Sequence, residues 1–274
     1  MDRTVIEALL KRETALVATA LVVLSGLAWL ALLAGGGTGM SPTAMSGWWM
    51  PMGLPAAESW SWTAYYWLIG FVMWAVMMVA MMLPSAAPTV LLYARVVHHA
   101  DATYGTTDGP ASIAAFAGGY LSLWIIFSVL AVALQFALER AGFMTVMMNS
   151  RSAALSGMLL IAAGLYQFSA LKTACLRHCR GPAAFISNHW KPGVTGAWQM
   201  GLIHGTYCVG CCAMLMLLLF VGGVMNLIWI AGLTLFVMVE KYVPFGETIA
   251  KVVATLLIVA GLALVLMNTP VGAL

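Results

Sequence analysis

The chain has 274 residues, 63% hydrophobic and only 8% charged, with a mean hydropathy of +0.98 and a formal net charge of +3. A soluble domain carries about 25% charged residues, so the 12 basic and 9 acidic side chains cannot cover a water-facing globule of this size. The scattered basic residues form no stripe for nucleic acid and the apolar content excludes disorder, so the expected fold is an all-α polytopic membrane bundle.

Crossing a hydrocarbon core of about 30 Å takes about 20 apolar residues. Seven such spans are predicted, near Ala15–Ala34, Tyr65–Leu83, Ser112–Leu138, Ala154–Leu171, Ala197–Val221, Met225–Val239 and Ile249–Met267, the sixth being the shortest. They make one membrane domain over residues 1–274, with no internal repeat. The first span follows Lys11 and Arg12, but its apolar run is too long for a secretory signal and no small-residue cleavage site follows, so it is expected to stay as an anchor. With the N-terminus inside, Arg3, Lys11, Arg12, Arg95, Lys172, Arg177, Arg180, Lys191, Lys241 and Lys251 fall on the cytoplasmic side and only Arg140 and Arg151 outside. The positive-inside rule therefore predicts an N-in, C-out protein of the bacterial inner membrane.

The segment from Gly35 to Thr63 is then external. Its Trp48, Trp49, Trp60 and Trp62, with Tyr65, Tyr66 and Trp67, read as an aromatic belt. In the second span Met73, Met77 and Met81 recur at every fourth position, with Met78 and Met82 on a second row, before Pro84 and Pro88. Thioether sulfur binds Cu(I) without losing a proton, so this ladder, fed by Met40, Met45, Met50 and Met52, is a candidate copper path. Flexible core packing accounts for the same stripe. A separate short helix is expected to end near His98-His99-Ala100-Asp101, on a solvated surface.

All five cysteines lie between Cys175 and Cys212, and His178, His189 and His204 share that window. At the end of the fourth span, Cys175 and Cys179 are four residues apart with His178 one turn from Cys175, and Lys172, Arg177 and Arg180 beside them favour thiolate. Tyr166 and Gln167 are placed to donate hydrogen bonds to such a site. In the fifth span, with His204 at zero, Cys208 lies at about 40°, Cys211 at about −20° and Cys212 at about 80° around a helix, so all share one face. Cys211 and Cys212 diverge by about 100°, so only one of them is expected in a mononuclear site unless the helix breaks. Gly201, Gly205 and Gly210 allow either a break or a close helix approach. Glu240-Lys241 ends the sixth span, where Glu240 is expected to pair with Lys241, Lys172 or an arginine, and Asn226 is expected to cap its start.

The candidate metal ligands are thus Cys175, Cys179, His204, Cys208, Cys211 and Cys212, and the surrounding or path residues are Tyr166, Gln167, Lys172, His178, Glu240, Met73, Met77 and Met81. Polar ligands in hydrocarbon are costly and mark function. Thiolate with imidazole suits Cu(I) or Zn(II) and excludes calcium and magnesium; copper is the expected ion and zinc the second, although the spacings match no ordinary zinc finger. The odd cysteine count and the reducing side of the membrane argue against a disulfide framework. Haem is disfavoured because His204 has no second intramembrane histidine to pair with.

The blocks Trp74-Ala-Val-Met77-Met78-Val-Ala-Met81-Met82-Leu-Pro84 with Pro88, then Tyr166-Gln167, Leu171-Lys172, Cys175, Cys179-Arg180 and Pro182, carry a family resemblance. So do Gly201, His204-Gly205, Cys208, Gly210-Cys211-Cys212, Leu215-Met216, Gly223, Met225-Asn226, Trp229 and Glu240-Lys241. Together the chain resembles an uncharacterised bacterial family of predicted metal-binding integral membrane proteins, a domain of unknown function. The resemblance implies metal binding and carries no reaction. Ala213 departs from it, since an aromatic residue often follows the paired cysteines there.

The leading functional expectation is a membrane protein that binds a soft metal and transports it or delivers it to a partner. The alternatives are a membrane thiol-disulfide oxidoreductase using Cys175/Cys179 and Cys211/Cys212, or a metal-binding subunit of a membrane oxidase or monooxygenase. No catalytic residue is assigned. Expected partners are the lipid bilayer and a metal donor or acceptor protein or membrane-complex subunits, with no nucleic acid. Walker, dinucleotide-binding and H-E-x-x-H sequences are absent, so any transport would be passive or proton-coupled.

Overall fold

The computed structural model describes residues 3–35, 62–104, 108–144 and 152–267. The described residues are helical almost throughout: α1 Arg3–Leu33, α2 Ala64–Tyr104, α3 Gly109–Arg140, α4 Ala153–Gln167, α5 Ala170–Arg180, α6 Pro182–His189, α7 Gly193–Leu217, α8 Leu219–Gly222, α9 Leu227–Tyr242 and α10 Gly246–Met267. Among the described residues, five helices are long and apolar enough to cross a membrane: Thr14–Leu33, Ala64–Ala100, Gly109–Arg140, Gly193–Gly222 and Gly246–Met267. They coincide with the first, second, third, fifth and seventh expected spans.

Two expected spans differ. The fourth is a pair, α4 and α5, bent by 64° at Phe168-Ser169, and counts as a sixth crossing only if the pair is one span. The bend arises because α5 starts afresh, with the Ser169 side chain accepting from the Lys172 backbone N–H at 3.1 Å. The sixth, α9, has 16 residues and so measures about 24 Å, short of a full crossing. It lies between the Asn226 cap, which accepts from the Ile228 and Trp229 N–H groups, and Val243-Pro244, after which α10 begins. Ahead of it Gly223, at φ +95°, makes the left-handed turn out of α8.

The second span also runs longer than expected. α2 continues unbroken through Pro84 and Pro88 to Tyr104, so the short helix expected near His98 to Asp101 is its C-terminal part. Proline at position 88 cannot supply the N–H that the carbonyl of Pro84 would normally accept. Tyr242 supplies it instead, its hydroxyl donating to the Pro84 carbonyl at 2.5 Å. Thus the end of α9 is tied to the middle of α2.

Glycines set the closest helix contacts. A Cβ on Gly201 of α7 would run into the Phe116 carbonyl of α3, and one on Gly119 into the Trp198 carbonyl. The glycines of the fifth span therefore serve close approach, and α7 is unbroken through the cysteines. In the α4–α10 pair a Cβ on Gly157 would lie 2.7 Å from the Gly261 carbonyl oxygen, and one on Gly261 2.6 Å from that of Gly157. The core between the helices holds Trp74, Trp124, Phe116 and Phe220, together with Met73, Met77, Met78, Met81 and Met82 at 0% exposure. Outward-facing ridges of Val22, Leu27 and Leu30 on α1, Ile126 and Leu130 on α3, and Leu256, Val259 and Leu266 on α10 are exposed, a surface suited to hydrocarbon.

At one end of the bundle the Trp62 ring packs on Tyr66, Trp67 and Phe136 at 4.6 to 5.0 Å and its indole N–H donates to Glu139 at 3.0 Å, so three of the aromatics expected in the belt cluster together. Trp48, Trp49, Trp60, Arg151 and the methionines Met40, Met45, Met50 and Met52 lie outside the described residues.

Gly201→Leu, which forces α3 and α7 apart, is expected to cost at least the 1–3 kcal/mol typical of overpacking. Gly232→Ala, where a Cβ meets nothing within 4 Å, is expected to leave stability unchanged or raise it by up to about 1 kcal/mol through helix propensity. Thermal unfolding of the detergent-solubilised variants measures both; equal midpoints would contradict the glycine argument.

Candidate metal centre

The bend after α4 sends α5 across α7, and the crossing point is Gly210. A Cβ on Gly210 would lie 2.6 Å from Cys175 Sγ, so any larger residue there would push the Cys175 side chain out of its present position. Tyr166, at the end of α4, fastens the crossing by donating its hydroxyl to the Gly210 carbonyl at 2.5 Å. One turn beyond Cys175, Cys179 then reaches the cysteines of α7.

Cys179, Cys208 and Cys211 have sulfur atoms that all lie within 4.8 Å of one another. Cys179 Sγ and Cys211 Sγ stand 3.9 Å apart. Two thiolates on one ion at the usual bond length of about 2.3 Å stand about 3.8–4.0 Å apart, so this pair already has the spacing of co-ligands. Cys208 and Cys211 are fully buried and Cys179 is half-buried. This cysteine cluster fits the binding of copper or another soft metal.

The polar surroundings of Cys208 come from three further helices. The Lys241 ammonium at the end of α9 donates to Cys208 Sγ at 3.1 Å and to Ser85 Oγ of α2 at 3.0 Å. Tyr120 of α3 has its hydroxyl 2.9 Å from the Met82 carbonyl, to which it donates, and 3.2 Å from Cys208 Sγ. Lys241 is thus a buried cation set directly against the thiol cluster. Its neighbour Glu240 forms a separate pair, with Lys172 Nζ 2.7 and 2.8 Å from its two oxygens. Both members are buried and join α9 to α5. Arg180 fastens the same two segments, donating to the Val243 and Pro244 carbonyls at 3.0 and 3.1 Å.

The other residues expected at the site take distinct places. Cys212 Sγ is 3.2 Å from Cys211 Sγ, closer than two ligands of one trigonal or tetrahedral ion. Cys175 packs on Gly210. His204 is buried among the rings of Phe116, Tyr120 and Phe185, at 6.1, 5.7 and 4.9 Å, and among the described residues its Nδ1 has no hydrogen-bond partner. His178 stacks on Tyr207 at 4.0 Å. Tyr166 donates to backbone, and the buried Gln167 amide has no partner among the described residues. Met73, Met77 and Met81 form a buried file on α2, and the backbone carbonyl of the next residue, Met82, accepts from the Tyr120 hydroxyl.

No sequence pattern marks a role for Tyr120, Ser85 or Tyr242, and Lys241 reads there as an inner-side basic residue, part of the Glu240-Lys241 block and a partner for Glu240. A phenol in the middle of an apolar span was the available signal, because its hydroxyl must find a partner there.

A family model described as PpoB2, copper chaperone, matches residues 71–264. No curated protein and no solved structure matches the chain.

Removing one member of the Lys172–Glu240 pair leaves a buried charge uncompensated, at a cost of roughly 3–5 kcal/mol. Lys172→Met is therefore expected to unfold well below Lys172→Met/Glu240→Met in detergent. A double variant no more stable than the single one would contradict the pairing.

Proposed function

The chain belongs to the PpoB2 copper chaperone family, and from that premise we propose that it is an inner-membrane protein that carries Cu(I) on Cys179, Cys208 and Cys211 and hands it to a partner. The observation that supports this most is the convergence of three thiols from two helices, with the 3.9 Å spacing of Cys179 and Cys211 matching two sulfurs on one ion. Copper is cargo here, so the site must both hold it and release it.

The chemistry of the donors favours Cu(I) over harder ions and leaves zinc as the second candidate. Three thiolates around one Cu(I) carry a net charge of −2, and the Lys241 ammonium beside Cys208 offsets half of it without occupying a ligand position. Cys175, Cys212 and His204, each within a turn or so of the three thiols, are reserve ligands through which the ion can be exchanged. Met73, Met77 and Met81 provide an approach along α2 that needs no deprotonation. Taking the bent α4–α5 pair and the short α9 each as one pass beside the five long helices gives seven, with the N-terminus inside, the C-terminus outside and the basic residues of α5 on the cytoplasmic side.

A second reading draws on the 3.2 Å separation of Cys211 and Cys212 and the 3.9 Å separation of Cys179 and Cys211. The same proximity would serve thiol-disulfide exchange, in which two thiols give up two electrons and two protons to a partner disulfide.

Protein purified under reducing conditions and loaded anaerobically with Cu(I) is expected to show copper–sulfur scattering in X-ray absorption. Cys179→Ser/Cys208→Ser/Cys211→Ser should lose it. Wild-type protein with intact thiols but no copper–sulfur scattering would overturn the reading, and a trapped mixed disulfide with a cellular partner would favour the second one. Reporter fusions should place the N-terminus in the cytoplasm and the C-terminus outside; the reverse pattern would sink the orientation.

A further inference from the structure

Beside Cys179, at the partly exposed end of α5 and α6, lies a second group of metal-ligating side chains. His178 of α5 and His189 at the end of α6 have ring centroids 6.2 Å apart, with planes at 71°. Both are half-buried, and Ser187 and Asn188 beside His189 are exposed. His178 directly precedes Cys179.

Each imidazole is held in one tautomer. His178 Nδ1 lies 2.9 Å from the Ala174 carbonyl oxygen and His189 Nδ1 3.1 Å from that of Phe185. A carbonyl can only accept, so each Nδ1 carries the hydrogen and donates it, and the in-plane lone pair of the neutral ring sits on Nε2. A backbone carbonyl fixing one ring nitrogen is the usual support of a metal-binding histidine. Among the described residues no hydrogen bond reaches either Nε2. Each ring is also braced by an aromatic neighbour: His178 lies flat on Tyr207 at 4.0 Å and 9°, and His189 on Phe185 at 4.8 Å and 21°.

The spacing suits one shared ion. With a metal–nitrogen bond of about 2.0 Å, an ion bound to Nε2 lies about 3.2 Å from the ring centroid, so two rings on a linear two-coordinate ion stand up to about 6.4 Å apart. The 6.2 Å observed is close to that limit. Two-coordinate geometry with neutral nitrogen donors selects Cu(I) among the ions this protein handles, because Zn(II) takes four ligands.

We propose that His178 and His189 form a second, two-coordinate Cu(I) site, a waypoint between the aqueous face and Cys179. Transfer from it is ligand exchange: copper stays Cu(I), the two Nε2–Cu bonds break as S–Cu bonds form, and each thiol that becomes a ligand releases its proton to water. The transfer step rests on the cysteine reading above, whereas binding by the histidine pair does not.

The test uses the full chain in detergent, reduced and anaerobic, with Cu(I) alone as the probe. Wild type is expected to retain two Cu(I) per chain, with both copper–sulfur scattering and imidazole multiple scattering. His178→Ala/His189→Ala should retain one Cu(I) and keep the copper–sulfur signal. Cys179→Ser/Cys208→Ser/Cys211→Ser should retain one Cu(I) on imidazole. His178→Met/His189→Met, which restores soft donors, should recover the second ion; failure to recover it would overturn the proposal, as would wild-type stoichiometry in His178→Ala/His189→Ala. Imidazole scattering without any copper–sulfur signal in wild type would overturn the cysteine reading and leave this one standing.

Discussion

A lysine ammonium set against a thiol inside an apolar bundle is the contact around which this molecule is arranged. Polar groups in such an interior have no water to turn to, so leaving one without a partner in the protein is costly. Lys241 finds Cys208 and Ser85, and in doing so binds α9 to α7 and α2 at once. Tyr120 adds α3 through Cys208 and the Met82 carbonyl, and Tyr242 returns to α2 at the carbonyl left open by Pro88. The Lys172–Glu240 pair then brings α5 into the same assembly. Five helices thus converge on one small volume because that is where their few polar groups can be satisfied.

The proposed metal site follows from this convergence. Two of the three thiols come from successive turns of α7 and are fixed by a helix that its glycines clamp against α3. The third comes from α5, a short helix whose course is set by the Phe168-Ser169 bend and the bare backbone of Gly210. Copper handling asks for soft donors that can bind tightly and still be exchanged. A cluster drawn from one rigid helix and one separately anchored helix meets both needs.

Much of this was legible in the sequence, and the reasons differ by element. The shared face of His204, Cys208 and Cys211 follows from helical periodicity alone, and the role of Gly201 from the absence of a side chain where backbones meet. The restriction of all cysteines to one short window named the region. The 64° bend was not legible, because α4 and α5 together have the length and apolarity of a single span and the break rests on a serine cap. The length of α2 is hidden as well, because proline ordinarily ends a helix, while the tyrosine that repairs the defect at Pro84 lies 158 residues away. The ring of polar partners around Cys208 is tertiary in origin, and no local pattern announces it.

The bend carries a mechanical consequence. Cys179 sits near the far end of α5, about 13 Å from the bend at 1.5 Å per residue. A tilt of α5 by about 10° would move its sulfur by about 2 Å, roughly a whole metal–sulfur bond, while leaving Cys208 and Cys211 in place on α7. With copper on these three sulfurs as proposed, the number of sulfurs around the ion would be governed by one angle, and the short helix would act as a lever through which anything docking on the Arg180 end loosens the grip.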